Sequence, residues 1–187
     1  MIKKILPIGA LALALTGTAF AQDAAALLNK ANQMNYEEIE TAKMARSAAG
    51  DNQALLTYAD TIKKDHEANE DAVTALSRQK SIKLEGTNSD PVKKSPLNDL
   101  KGGAFNQAYL QEQIQGHKEA LRAFEDARGQ FKTDKDMELY VQQTIPVLEG
   151  HLKMAENLQR QASRGSNENP ANNKSTTDGM GSSTRND

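Results

Sequence analysis

Cysteine is absent from all 187 residues, which excludes disulfides, thiolate metal sites and acylation of a lipoprotein cysteine. Tryptophan is absent as well, and aromatics make up 4% of the chain, so a core must be aliphatic and rich in alanine. Such compositions pack as helices. Nor is there a basic excess, since 23 Lys and Arg stand against 25 Asp and Glu. That balance argues against nucleic acid or an anionic membrane as the main partner.

A long apolar run is missing too. The strongest, Ile5 to Leu15, is too short to span a bilayer. It follows Met1-Ile2-Lys3-Lys4 and precedes Ala19-Phe20-Ala21, which together read as a signal peptide cleaved after Ala21. The expected location is therefore the periplasm or the exterior, with no integral membrane segment after cleavage. Loss of Lys3 and Lys4 leaves 21 basic and 25 acidic residues, a mature charge of −4. The expected organisation is a leader over 1–21, one helical domain over 22–163 and a disordered polar tail over 164–187, where Asn, Ser, Thr and Gly cannot bury a core.

Between Asp23 and Ala49 there is neither proline nor glycine, and strong helix formers dominate. Steps of three and four residues place Leu28, Ala31, Asn35, Glu38, Ala42, Ala45 and Ala49 on one face. After Gly50-Asp51 a second helix, about Asn52 to Arg78, presents Leu55, Ala59, Ile62, His66, Asn69, Val73 and Leu76. A long connection follows, with Gly86, Pro91, Pro96, Gly102 and Gly103, and one short helical turn is expected near Leu97. The third helix runs to about Phe131 and aligns Leu110, Ile114, His117, Leu121 and Phe124. After a short turn at Thr133-Asp134, the fourth aligns Met137, Val141, Thr144, Leu148, His151, Ala155 and Leu158, and is expected to kink at Pro146. Connections that run short, long, short predict an all-α, ferritin-like four-helix bundle of two antiparallel hairpins joined by a long crossover.

The three histidines of the chain each interrupt one apolar seam, and Glu38 interrupts the fourth. Counted from the turns at about 1.5 Å per residue, the four positions fall within about 10 Å along the axis. Three imidazoles and a carboxylate at one level suit Zn, Fe, Mn, Ni or Cu, with Glu38, His66, His117 and His151 as ligands. Asn35, Asp65, Asn69 and Gln113 are placed to fix the imidazole tautomers. Gly116 and Gly150 precede two of the histidines, and mid-helix glycines costing about 1 kcal/mol each suggest that room is needed there. The same residues also suit a metal-free buried hydrogen-bond network. Tyr109 and Tyr140 read as packing residues. Glu-x-x-His, which dinuclear iron bundles use, is absent, because Lys63, Ile114 and Leu148 precede the histidines by three. Nucleophile elbows, phosphate loops and zinc-protease motifs are absent as well.

Asn35-x-x-Glu38-Ile39-Glu40, Lys64-Asp65-His66-x-x-Asn69, Gly103-Ala104-Phe105-Asn106-x-x-Tyr109 with His117, and Ile145-Pro146-x-Leu148-x-x-His151-Leu152-x-x-Ala155 resemble the bacterial exported proteins catalogued as domain of unknown function 4142. The resemblance spans about Ala25 to Leu158. It implies a ferritin-like fold and no settled activity. Asn106 stands where that pattern has aspartate, and reads as a helix-start cap. The functional expectation is an exported bundle that stores, senses or buffers one transition-metal ion. The alternatives are a metal-free structural or interaction protein of the envelope, and a mononuclear redox enzyme; no protein partner can be named.

Overall fold

A computed structural model describes residues 15–167, with side chains over 23–164. Apart from helical backbone at 15–21 and 164–167, the expected leader and polar tail lie outside the described residues. The described chain is all-helical: α1 (Leu15–Ala48), α2 (Gln53–Gln79), a single turn α3 (Asp90–Lys93), a 3₁₀ turn (Pro96–Asp99), α4 (Gly102–Ala127) and α5 (Lys135–Asn167). No described helix is long and apolar enough to cross a membrane.

The seams turn inward, although Asn69, Leu76, Ile114, Leu121 and Leu158 are only half-buried and Gln113 and Ala120 take the fully buried places on α4. On α1, Leu28, Ala31, Asn35, Glu38, Ala42 and Ala45 all lie inside, with Ala49 just past the helix end, as do His66, His117 and His151 on their helices. Two apolar clusters result. One joins Leu28 and Ala31 of α1 to Val73 of α2, Phe124 of α4 and Met137, Val141 and Ile145 of α5. The other joins Ala42 and Ala45 to Leu55 and Ile62, Phe105 and Tyr109, and Ala155. Because the first half of α1 meets the second halves of α2 and α4, and the second half of α2 meets the first half of α5, each long helix is antiparallel to both of its neighbours. Between the two apolar clusters lie six of the eight buried polar residues, Asn35, Glu38, His66, Gln113, His117 and His151.

The turns explain the boundaries. Gly50 has φ +65°, which only glycine adopts cheaply, and Asn52 then caps α2 by accepting from the Leu55 N–H at 3.1 Å. The third long helix stops at Ala127 rather than near Phe131, because Gly129 takes φ +80° and ends it. The fourth runs on to Asn167, unbroken through Pro146. Asn106 caps a different helix from the one expected: it lies within α4 and donates from Nδ2 to the Ala49 carbonyl at 3.2 Å, beyond the end of α1. An aspartate there could not donate that bond. The crossover from α2 to α4 is strapped to α1, where Asn29 Oδ1 accepts from the Glu85 N–H at 2.8 Å and Gln33 Oε1 from the Asn88 N–H at 2.7 Å.

Asp134 starts α5 by accepting from the Met137 N–H at 3.2 Å, and Lys80 at the end of α2 lies 2.6 Å from the same oxygen. Burial alone would raise the Asp134 carboxyl, but the Lys80 hydrogen bond and the backbone N–H groups outweigh it and hold the group below its ordinary 3.8. A depressed carboxyl stabilises the fold above its unfolded value and loses that contribution as pH falls through the folded one. Asp134→Ala is therefore expected to cost about 1 kcal/mol at pH 7, and less on acidification below pH 4, read by urea unfolding across pH.

Candidate metal centre

His66, His117 and His151 come from α2, α4 and α5 and are 1–2% exposed. One ring nitrogen of each lies within 4.8 Å of the other two. Their partners settle which nitrogens these are. His66 Nδ1 is 2.9 Å from Asn35 Oδ1, an oxygen that can only accept, so Nδ1 carries the hydrogen and Nε2 is bare. His117 Nδ1 is 2.9 Å from the Gln113 carbonyl, so its Nε2 is bare as well. His151 Nε2 is 3.0 Å from Asp65 Oδ2, which leaves Nδ1 bare.

The bare His117 Nε2 and His151 Nδ1 face each other at 3.2 Å. With those tautomers neither ring holds a hydrogen for the other, so the gap is one that a proton taken up by either ring, or a metal cation bound by both, would fill. A tetrahedral ion with metal–nitrogen bonds of about 2.05 Å spaces its nitrogens about 3.3 Å apart. His66 Nε2, the third bare nitrogen, is buried with no hydrogen-bond partner. Burial first, and then the neighbouring His117 and His151, hold His66 well below the ordinary imidazole value. His151 is lowered by burial against the opposing pull of Asp65. Both therefore remain neutral, as ligands must be. Three buried histidines can thus hold a metal ion.

Glu38, expected as the fourth ligand, stands elsewhere. Its Oε1 is 3.8 Å from His117 Nδ1, on the side of that ring away from the bare Nε2, and its Oε2 accepts from Gln113 Nε2 at 2.5 Å. In this geometry the converging set is the three imidazoles, and Glu38 supplies charge behind one of them. Burial raises its carboxyl, with His117 and the Gln113 bond opposing. The glycines do not make room for the rings: a Cβ on Gly116 would meet Glu38 Oε1 at an ordinary 3.5 Å, and one on Gly150 would meet nothing within 4 Å.

The expected orienting residues all enter the surrounding network. Asn35 bonds His66 and donates to Asn69 Oδ1 at 3.4 Å, and Asp65 bonds His151. Gln113 serves His117 through its carbonyl and Glu38 through its side chain. Sequence reasoning missed two hydroxyls. Tyr140 donates to Asn69 Oδ1 at 2.9 Å and Tyr58 to Gln113 Oε1 at 2.8 Å, so each ends one arm of the network. Tyr140 was read as packing, and Tyr58 sits one residue off the seam, so spacing alone did not single it out.

The Tyr109 hydroxyl is buried without a partner, while its ring stacks on Phe105 at 5.6 Å. Tyr109→Phe should therefore be neutral or stabilising by about 1 kcal/mol, whereas Tyr58→Phe should cost about 1–2 kcal/mol by orphaning Gln113 Oε1. Urea midpoints of the two variants at equal slope check this, and a comparable loss in both would show that the Tyr109 hydroxyl has a partner.

No curated protein and no solved structure matches the chain. A family model does, over residues 11–158, which takes in α1, α2, α4, α5 as far as Leu158, and every residue of the histidine cluster. The chain belongs to the family described as domain of unknown function DUF4142.

Proposed function

We propose that this protein is an exported ferritin-like four-helix bundle that binds a single divalent transition-metal ion through His66, His117 and His151. The observation that carries this reading is the trio of bare ring nitrogens turned towards one another, each tautomer held by an acceptor on the far side of its ring. An all-imidazole set favours Zn, Cu, Ni or Fe over the oxygen-seeking Mn. Three protein ligands leave one position for a water or another exogenous ligand. Asp65 and Glu38 lie behind His151 and His117 and offset the charge of a divalent ion.

Holding metal, for storage, sensing or buffering, suits this site better than turnover. The ligands are almost fully buried, and three surface cavities, of 590, 380 and 230 Å³, are lined by other residues. Export to the periplasm follows from the leader pattern, and the first residue after cleavage is then Gln22, which N-terminal sequencing reads directly.

The test is elemental analysis of the mature protein, purified from the periplasm without a histidine tag, beside a His66→Ala/His151→Ala variant. Near-stoichiometric metal in the natural chain and its loss from the folded variant is the expected result. A natural chain that carries no metal and takes up none when Zn, Fe, Mn, Ni and Cu are offered in turn overturns the proposal. It would leave the second reading, a metal-free structural or interaction protein with a buried polar layer.

A further inference from the structure

Three large apolar side chains stand exposed among the described residues, Leu139 at 52%, Val147 at 43% and Met154 at 36%, and all three belong to α5. At about 100° per residue they fall within an arc of about 80°, which also takes in Gln143 and Gly150. The opposite face of α5 carries Met137, Val141, Leu148 and His151 into the core. A glycine within a helix costs about 1 kcal/mol relative to alanine. At Gly150 nothing in the chain explains that cost, because a Cβ there would meet nothing within 4 Å. Absence of a side chain does, however, let a second backbone approach closely.

We infer that this face of α5 seats the same face of a second copy of the chain, the two helices running antiparallel about a two-fold axis beside Gly150. The sequence is self-complementary about that point. Val147 and Met154 lie three and four residues to either side, so the axis lays Val147 of one copy on Met154 of the other. Lys153 and then Glu149 lie along one side of the stripe, and neither is ion-paired among the described residues. The same axis brings Glu149 of each copy towards Lys153 of the other, as an isologous interface requires. A lipid surface offers no such alternation, and its anionic headgroups would repel Glu149.

From Leu139 to Met154 the stripe is about 22 Å long, which gives a contact at the small end of specific interfaces and hence a reversible, micromolar dimer. This inference is independent of whether the histidines hold metal.

Sedimentation of the mature chain is expected to show a twofold rise in mass between nanomolar and high micromolar concentration. Val147→Glu and Met154→Glu should each hold it at the single-chain mass with unchanged circular dichroism. Because the chain has no native cysteine, single cysteines report the geometry cleanly. Mixing the Val147→Cys and Met154→Cys chains under mild oxidation should give the mixed disulfide about tenfold over either homodimer, whose sulfurs would sit about 10 Å apart along the axis. Leu139→Cys should not cross-link, its two copies being about 35 Å apart. A single-chain mass at every concentration overturns the inference, and so does efficient cross-linking of Leu139→Cys, which would mean a parallel or different contact.

Discussion

Saturating metal is expected to raise the melting temperature of the natural protein by about 10–15 °C and to leave that of His66→Ala unmoved. At a free ion concentration 1,000 times the dissociation constant, binding to the native state alone contributes about 4 kcal/mol, and each kcal/mol moves the midpoint of a domain of this size by about 2–4 °C. His66→Ala removes one of the three bare nitrogens and leaves two, which at buried neutral imidazoles are too few to compete with solvent water. The variant also loses stability without metal, by about 2–3 kcal/mol, since it opens a cavity and strips Asn35 Oδ1 of its donor. The two effects separate by measurement: thermal unfolding with chelator reports the structural loss, and the metal-induced shift reports the site. A natural protein whose midpoint ignores Zn, Cu, Ni and Fe alike would show that the three nitrogens do not act together.

Glu38→Gln should move stability and affinity in opposite directions. Glu38 is 8% exposed, burial raises its carboxyl, and the close polar contacts of that carboxyl are Gln113 Nε2 at 2.5 Å and His117 Nδ1 at 3.8 Å. A neutral isostere keeps an acceptor for Gln113 and avoids the cost of a buried anion, so the metal-free variant is expected to gain about 1 kcal/mol at neutral pH. A group whose pKa is raised on folding opposes the fold once pH exceeds its unfolded value of 4.5. The gain should therefore vanish as pH falls below that value. With metal bound the sign reverses: the anion behind His117 strengthens that ligand and offsets the ion's charge, and its removal should weaken affinity about 10–100-fold. Urea unfolding with chelator and competitive metal titration give the two halves. Loss of stability in the metal-free variant would show instead that the carboxylate is held as a favourable ion pair.

Of the fold, the helices and their inward faces were legible because heptad-like spacing is a local property. Once Leu28, Ala31, Ala42 and Ala45 share a side of α1, the hydrophobic effect decides which side is buried, and Asn35 and Glu38 are carried in with them. The histidines were legible for the same reason. Boundaries were less so: Gly129 ends α4 by its positive φ, whereas apolar periodicity continues to Phe131, which is buried in the turn. Asn106 was misread because a cap is recognised from neighbouring sequence, while its actual partner, Ala49, lies 57 positions away.

The sequence by itself determined that four helices would bury one polar level between apolar ends, and that three imidazoles and a carboxylate would stand at it, because both follow from residue spacing and helix rise. Only the tertiary structure decided what those groups do to one another. Which ring nitrogen is bare depends on acceptors from other helices or another turn, Asn35, Asp65 and the Gln113 carbonyl, and Glu38 falls behind His117 through the way α1 and α4 pack. Periodicity assigns a residue to a face and a height. The direction in which its side chain points is set by rotamers and partners that only the packed helices supply.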